Sequence, residues 1–368
     1  MIAEVESSLD ETFQCLKPVE LGPLPPRPLV SVLLPNYNYA RYIPSAIESV
    51  LRQSYQHFEI YICDDGSTDH SWQVIESYVA RDRRIHAVRK PNGGMGSAHY
   101  SAYRDSKGAV ICLLDSDDRF LPEKLQLVVD AFCSHPRSGF LLHKMHLVDG
   151  EARRLGVTPL RSISTGWVAP SALRHGGGLP AGMAPTSGIC MRREIADLVL
   201  PLTEHFRRHN DLAVLSLALL MTPLIGIDIP LSEYRYHGAN DMATSSITPE
   251  WLARTLKALR AVWELQHAYL EKVTPGLARN LAPVEKSRGA LIMTYALARL
   301  RGDECAIAAY KNLVRSESFA TLAAPSRWFW RVSILLPRFV VRRAINVAWG
   351  PSHLKQWIRG LTRYMTVC

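Results

Sequence analysis

The stretch Ile111-Cys112-Leu113-Leu114-Asp115-Ser116-Asp117-Asp118 constrains this chain more than any other. Four apolar residues run directly into three carboxylates. A short apolar run with a β-branched residue reads as a buried strand rather than a helix. Three acids within four positions repel one another, and a cation at the strand's carboxyl end would make the cluster tolerable. Hard divalent ions take oxygen ligands, commonly one or two carboxylates together with substrate phosphates. A solvated acidic turn ahead of the helix that Pro122 opens uses the same residues. The segment alone leaves both readings open.

The chain before it repeats one unit. Residues 1–28 read as a mobile leader ending in the proline-rich piece Pro23 to Pro28. Leu29 to Pro35 reads as a buried strand, with a helix from about Pro44 to Arg52. Phe58 to Cys63 is a second strand that ends at Asp64-Asp65-Gly66-Ser67-Thr68-Asp69, where Ser67 or Thr68 can cap a helix running to about Ala80. Ile85 to Val88 is a third strand, followed by the turn Asn92-Gly93-Gly94 and a helical stretch that ends by Gly108. Strand and helix alternating through short loops predict an α/β domain, a mostly parallel sheet flanked by helices. In such open sheets the ligand lies beyond the carboxyl ends of the strands. Here those ends carry Pro35-Asn36-Tyr37-Asn38, Asp64-Asp65-Gly66-Ser67 and Asp115-Ser116-Asp117-Asp118, which would converge on one crevice.

Leu34-Pro35-Asn36-Tyr37-Asn38, Asp64 to Asp69 and Leu113 to Asp118, in this order and spacing, resemble glycosyltransferase family 2. The close match covers about residues 29–135 and a looser one continues to about 245. The resemblance implies a GT-A (Rossmann-like) catalytic domain at 29–245 that uses a nucleotide-diphosphate sugar, with a nucleotide-sugar half at 29–135 and an acceptor half at 136–245. It also implies that Tyr37 and Asp65 hold the base and ribose, with Pro35, Asn38, Gly94 and Ser116 in the donor site. Asp115 would reach the ribose or metal waters, while Asp117 and Asp118 would hold Mn2+ or Mg2+ against the diphosphate.

The second half carries the acceptor side. Pro185 to Arg193 resembles the family's strand and loop under the acceptor. Asn210-Asp211-Leu212 stands where the family has a Glu-Asp or similar pair at a helix start, so Asp211 is the candidate general base, with Asn210 in place of Glu. An acid in a first helical turn is also favoured by helix chemistry alone. Tyr234-Arg235-Tyr236-His237-Gly238-Ala239-Asn240 resembles the family's closing motif, which makes His237 a metal ligand or diphosphate contact rather than an ordinary surface histidine. Ala98-His99-Tyr100 departs from the family's Ala-Arg-Asn, which puts the phosphate contacts of that side in question.

Residues 246–368 read as a helical C-terminal region packed on the catalytic unit or on a second subunit. Its end is basic: from Phe319 to Cys368 there is no Asp or Glu, against Arg327, Arg331, Arg338, Arg342, Arg343, Lys355, Arg359 and Arg363. Trp328, Val332, Leu335, Leu336 and Phe339 fall on helical spacing, with Pro337 a kink. This pattern suits an anionic membrane surface or a docked helix with a solvated basic face. The net charge of +9 comes with no nucleic-acid module, which argues against a nucleic-acid partner. No signal peptide or spanning run is visible, and the seven cysteines show no CxxC pair, so a reducing cytoplasm is expected, with attachment to the inner membrane face through the tail. The expected activity is sugar transfer with inversion from a UDP-sugar to a hydroxyl of a glycan or lipid-linked glycan, in bacterial surface polysaccharide synthesis. A polyisoprenyl-phosphate sugar synthase and a non-catalytic glycan-assembly scaffold are the alternatives. The acids Asp115, Asp117 and Asp211 argue against the scaffold.

Overall fold

The computed structural model describes residues 15–157, 163, 165–174, 185–237, 247–320 and 322–349. The glycines of 176–178, the segment Gly238-Ala239-Asn240 and the tail from 350, with Trp357 and Ile358, lie outside the described residues.

Three apolar runs build the centre of the sheet. β1 (Val30–Asn36), β2 (Phe58–Asp64) and β4 (Val110–Leu113) are buried along nearly their whole length. They and β3 (Ile85–Arg89) pair in parallel in the order β3-β2-β1-β4. Successive residues serve opposite faces. Val30, Val32, Leu34, Ile60, Ile62 and Cys112 join one core cluster, while Leu33, Cys63, Ile111 and Leu113 join another. A strand covered on both faces has no polar side to present, which is why these runs are continuous rather than alternating. The first face is covered by α1 (Ile43–Leu51) and α2 (Ser71–Val79) through Ile47 and Ile75. The second is covered by α3 (Met95–Arg104) through Ala98 and Ala102.

Beyond β4 the pairing turns antiparallel. β5 (Arg119–Phe120), α4 (Lys124–Ser134), β6 (Phe140–Asp149) and β7 (Arg154–Val157) follow in the chain. Then come α5 (Ala169–Arg174), β8 (Ile189–Arg192), α6 (Arg193–Thr203), α7 (Asn210–Met221) and β9 (Leu224–Tyr236). β8 lies between β4 and β6 and is antiparallel to both, and β5 pairs antiparallel with β9. The parallel character expected of the sheet therefore belongs to its first four strands. α7 is apolar on all sides from Ala213 to Met221 and is buried throughout that length, as an all-round apolar helix must be. Apart from the buried Ser216, its polar residues are Asn210 and Asp211 in the first turn.

The leader differs from expectation. Residues 15–28 are held against the core rather than mobile. Leu16 is buried, the Val19 N–H donates to Met221 O (2.7 Å), and Leu21 and Leu24 pack on the two core clusters. The Arg192 guanidinium donates to Gly22 O, and the Tyr55 hydroxyl donates to Pro28 O (2.6 Å). Apolar residues spaced among the prolines supply the anchoring that the polar composition conceals. Ser67 and Thr68 do not cap α2, whose first N–H groups instead meet Asp69 (Ser71 N to Oδ1, 2.9 Å).

The chain divides into two compact units, Met1–Arg235 with Glu264–Leu281, and Tyr236–Trp263 with Ala282–Cys368. The long helix α8 (Pro249–Val273) contributes to each, so the boundary expected at 245 is interleaved rather than a single cut. The second unit is built from α9 (Arg288–Arg301), α10 (Ala306–Arg315), α11 (Glu317–Ala320), α12 (Ala324–Val332) and α13 (Arg338–Trp349). Its core gathers Leu252, Tyr295, Leu313, Phe319, Trp330, Val341 and Ile345. The Tyr295 and Trp330 rings meet edge to face at 5.9 Å. No helix among the described residues is long and apolar enough to cross a membrane.

Candidate active site

The loops after β1 and β2 are clipped together. Asn38 adopts a left-handed φ of 60°, which an asparagine tolerates. Its side-chain oxygen accepts from the N–H groups of Thr68 (2.7 Å) and Asp69 (3.3 Å), and its own N–H donates to Ser67 Oγ (2.9 Å). Asn36 joins the clip through Nδ2 to Asp64 Oδ1 (2.9 Å). Tyr37, between them, is left 45% exposed with its ring available at the crevice. Pro35 and Ser116, both expected on the donor, bond each other, with the Ser116 hydroxyl donating to Pro35 O (2.6 Å).

Asp65 and the glycine turn form a second clip. The Asp65 carboxylate accepts the N–H groups of Gly93 (2.8 Å) and Gly94 (2.7 Å) and pairs with the Lys90 ammonium. The next two donors, at the start of α3, go to the loop before α7: Met95 N–H to Arg207 O (3.1 Å) and Gly96 N–H to Phe206 O (2.8 Å). The backbone donors that a phosphate would need at this helix start are thus already used. Gly94, expected on the donor, instead carries a φ of 92° and lies under Arg207, where any side chain would overlap the Arg207 backbone.

The three acids lie at the end of β4 as the spacing implies. One ligand oxygen from each of Asp115, Asp117 and Asp118 can be chosen so that all lie within 4.8 Å of one another. Asp118 is buried and Asp115 half-buried, and both carboxyls are held well above the usual carboxylate range. Burial is the leading cause in each, followed by the charge of Asp117. Asp115 Oδ1 and Asp118 Oδ2 are buried without a hydrogen-bond partner among the described residues. Buried carboxylate oxygens without donors are costly, and hard oxygen ligands so arranged fit Mg2+ or Mn2+. The remaining contacts are protein-made. Ser187 Oγ accepts the Asp115 N–H (2.9 Å) and its hydroxyl bonds the Asp118 carboxylate. The Arg235 N–H donates to Asp118 Oδ1 (2.9 Å), and its Nε donates to Asp117 O (2.8 Å). Lys124 is wholly buried, with Nζ on Ser187 O (2.9 Å) and Ser232 Oγ (3.2 Å); burial lowers its pKa, with the charge of Asp118 acting the other way.

Asp211 reaches the same place from α7. Its charge is one of the causes that raise Asp115, and it acts also on Tyr234, a half-buried β9 phenol whose pKa rises through burial and then through Asp118, Asp117, Asp115 and Asp211. The structure therefore clusters Asp115, Asp117 and Asp118, with Asp211 near enough for its charge to act on Asp115. His237 directly follows β9, is half-buried, and falls at the start of the second unit.

Sequence reasoning passed over Lys124, Ser187, Tyr234 and Arg235 as site residues. Lys124 had a signal: it is spaced four and eight residues before Val128 and Phe132, in the apolar stripe of an amphipathic helix.

The two departures from the family pattern meet. His99 is fully buried on α3, and the Asn210 amide nitrogen donates to its Nδ1 (3.2 Å). Burial holds His99 near a pKa of about 4, so the pair is neutral at physiological pH. Asn210→Ala removes the donor and leaves a buried ring nitrogen unpaired, an expected loss of about 1–3 kcal/mol. The double change His99→Leu with Asn210→Leu should lie closer to the parent than the sum of the single changes in urea unfolding. Additive losses would show that the two side chains do not act as a pair.

The mixed sheet, its parallel strands ending on clustered acids, and the carboxylate delivered by α7 define a glycosyltransferase of the GT-A fold. The chain belongs to glycosyltransferase family 2: the model described as "Glycosyl transferase family 2" matches residues 31–160, and two relatives match across most of their own length. An uncharacterized glycosyltransferase of Nostoc sp. is 30% identical over 259 residues, covering 68% of this chain and 80% of the relative. The putative teichuronic acid biosynthesis glycosyltransferase TuaG of Bacillus subtilis is 30% identical over 259 residues, covering 67% of this chain and 92% of the relative. Chondroitin synthase of Pasteurella multocida is 37% identical over 128 residues, which is 35% of this chain and 13% of that protein. Among solved structures, S. aureus TarS 1–349 has a TM-score of 0.51 at 18% identity, covering 83% of this chain and 87% of that one.

Proposed function

We propose that this glycosyltransferase moves a sugar, with inversion, from a UDP-sugar to a hydroxyl of a glycan or lipid-linked glycan in bacterial surface polysaccharide synthesis. The observation that carries the reading is the meeting of Asp115, Asp117 and Asp118 with Asp211 at the sheet's carboxyl edge. Asp117 and Asp118 would hold a divalent cation, Mn2+ or Mg2+, with Asp115 alongside. When bound, the ion supplies Lewis-acid stabilisation of charge on the departing diphosphate. Asp211 takes the proton of the acceptor hydroxyl as its oxygen attacks the anomeric carbon. The bond from that carbon to the diphosphate breaks, and its electron pair leaves with the nucleotide. Tyr37 offers its exposed ring to the base, and Asp65 has acceptor capacity beyond the three donors it already holds.

The catalytic work is assigned to 29–245, with the donor on the 29–135 side. Two relatives, a chondroitin synthase and a putative teichuronic acid biosynthesis glycosyltransferase, support a polysaccharide acceptor. Six free cysteines among the described residues suit a reducing cytoplasm.

The test is nucleotide release from a panel of UDP- and GDP-sugars, with and without Mn2+. UDP release that needs the cation is the expected result. GDP release would overturn the nucleotide assignment, and cation-independent turnover would overturn the metal assignment.

A further inference from the structure

α12 and α13 each have a face committed to the core of the second unit. Trp330 and, further on, Val341 and Ile345 are buried in that cluster. The same two helices and the turn between them also expose large apolar side chains. Trp328 is 68% exposed, Leu335 84% and Phe339 73%. These are the most exposed large hydrophobic side chains among the described residues, and they fall within one short span. Arg331, Arg338, Arg342 and Arg343 are exposed among them. Trp328 and Arg331 are three residues apart on α12, Phe339 and Arg342 three apart on α13, and Leu335 lies in the turn between the helices. Helical packing on the unit's own core does not account for them, because the core positions are different ones.

From this span we infer that the exposed side of α12 and α13 is a docking surface for an anionic lipid bilayer. Two observations choose that partner. The first is charge: Phe319 to Cys368 has no Asp or Glu, so the exposed arginines meet no acid from their own stretch. An anionic headgroup layer complements such a surface, at about 1 kcal/mol for each basic residue near it. The second is the side-chain type. A tryptophan, a phenylalanine and a leucine between arginines match an interfacial element, whose apolar side chains enter the headgroup–acyl boundary while its cations stay with the phosphates. A nucleic-acid backbone would use the arginines and leave Leu335 and Phe339 without a role. The inference is independent of the donor chemistry, since none of these residues is in the catalytic site.

The experiment is flotation of the full-length protein with phosphatidylcholine vesicles and with vesicles that also contain phosphatidylglycerol. The protein should float with the anionic vesicles only, and less as salt screens the attraction. Replacing Arg331, Arg338, Arg342 and Arg343 together by Gln should lower partitioning on the order of several hundredfold. The triple change Trp328→Ala, Leu335→Ala and Phe339→Ala should also release the protein. Turnover of soluble donor and acceptor should be unchanged in both variants. Absence of flotation, or flotation equal in parent and variants, overturns the inference. So does an oligomer in light scattering that the triple variant dissolves without any effect on lipid binding, because a second copy would then be the partner.

Discussion

Asp211→Asn is expected to leave donor affinity near that of the parent and to lower turnover by about 10²–10⁴-fold, the usual contribution of a positioned general base. The expectation follows from where the residue stands. α7 is buried and apolar over nearly all its length, so its direction is fixed by packing, and Asp211 occupies the first turn at the polar end. Its carboxylate lies close enough to Asp115 to disfavour ionisation there. An amide of the same shape keeps the first-turn geometry and removes the proton acceptor. Donor affinity measured by calorimetry, beside turnover with saturating donor, separates the roles. Parallel loss of both would mean that Asp211 belongs to the donor site and another group takes the proton.

Asp117→Asn is expected to abolish cation-dependent turnover and most cation-dependent stabilisation. Without a cation, Asp115 and Asp118 in the folded chain hold protons that the unfolded chain releases near pH 4. Between that value and their raised folded values the native state binds more protons. Its stability from these groups therefore falls as pH rises and is recovered as pH falls. A divalent cation takes the place of the protons and flattens the profile. At one hundred times its dissociation constant it would add about 2.7 kcal/mol. Urea midpoints across pH, with and without Mn2+, read both effects. Identical profiles in the two conditions, or an Mn2+ shift kept in full by Asp117→Asn, would remove the metal assignment.

The parts of this site that could be read from sequence are those fixed by short-range pattern. Continuous apolar runs announced β1, β2 and β4, and the acids at the end of β4 stood out because their repulsion demands an explanation. What escaped depends on partners far along the chain. Gly94 looked like a donor-site glycine, yet its N–H is taken by Asp65 and its surface by Arg207. Lys124's place in an apolar helix stripe does not name its partners, Ser187 in the turn before β8 and Ser232 on β9, which only the fold brings to it. The leader looked mobile because its prolines dominate, whereas its scattered leucines find the core only after folding. His99 and Asn210 read separately as two losses, and only their contact makes them one feature.

The glycine turn has a further consequence for how the enzyme can change over time. Asp65 holds Gly93 and Gly94, the following residues hold Phe206 and Arg207, and that segment leads straight into Asp211. The loop after β3 and the loop before α7 are therefore joined by a strap with no slack, since neither Gly94 nor Gly96 has room for a side chain. A lineage that reshapes the loop before α7 must leave the 206–207 carbonyls where they are. Variation in that loop is thereby channelled away from this strap.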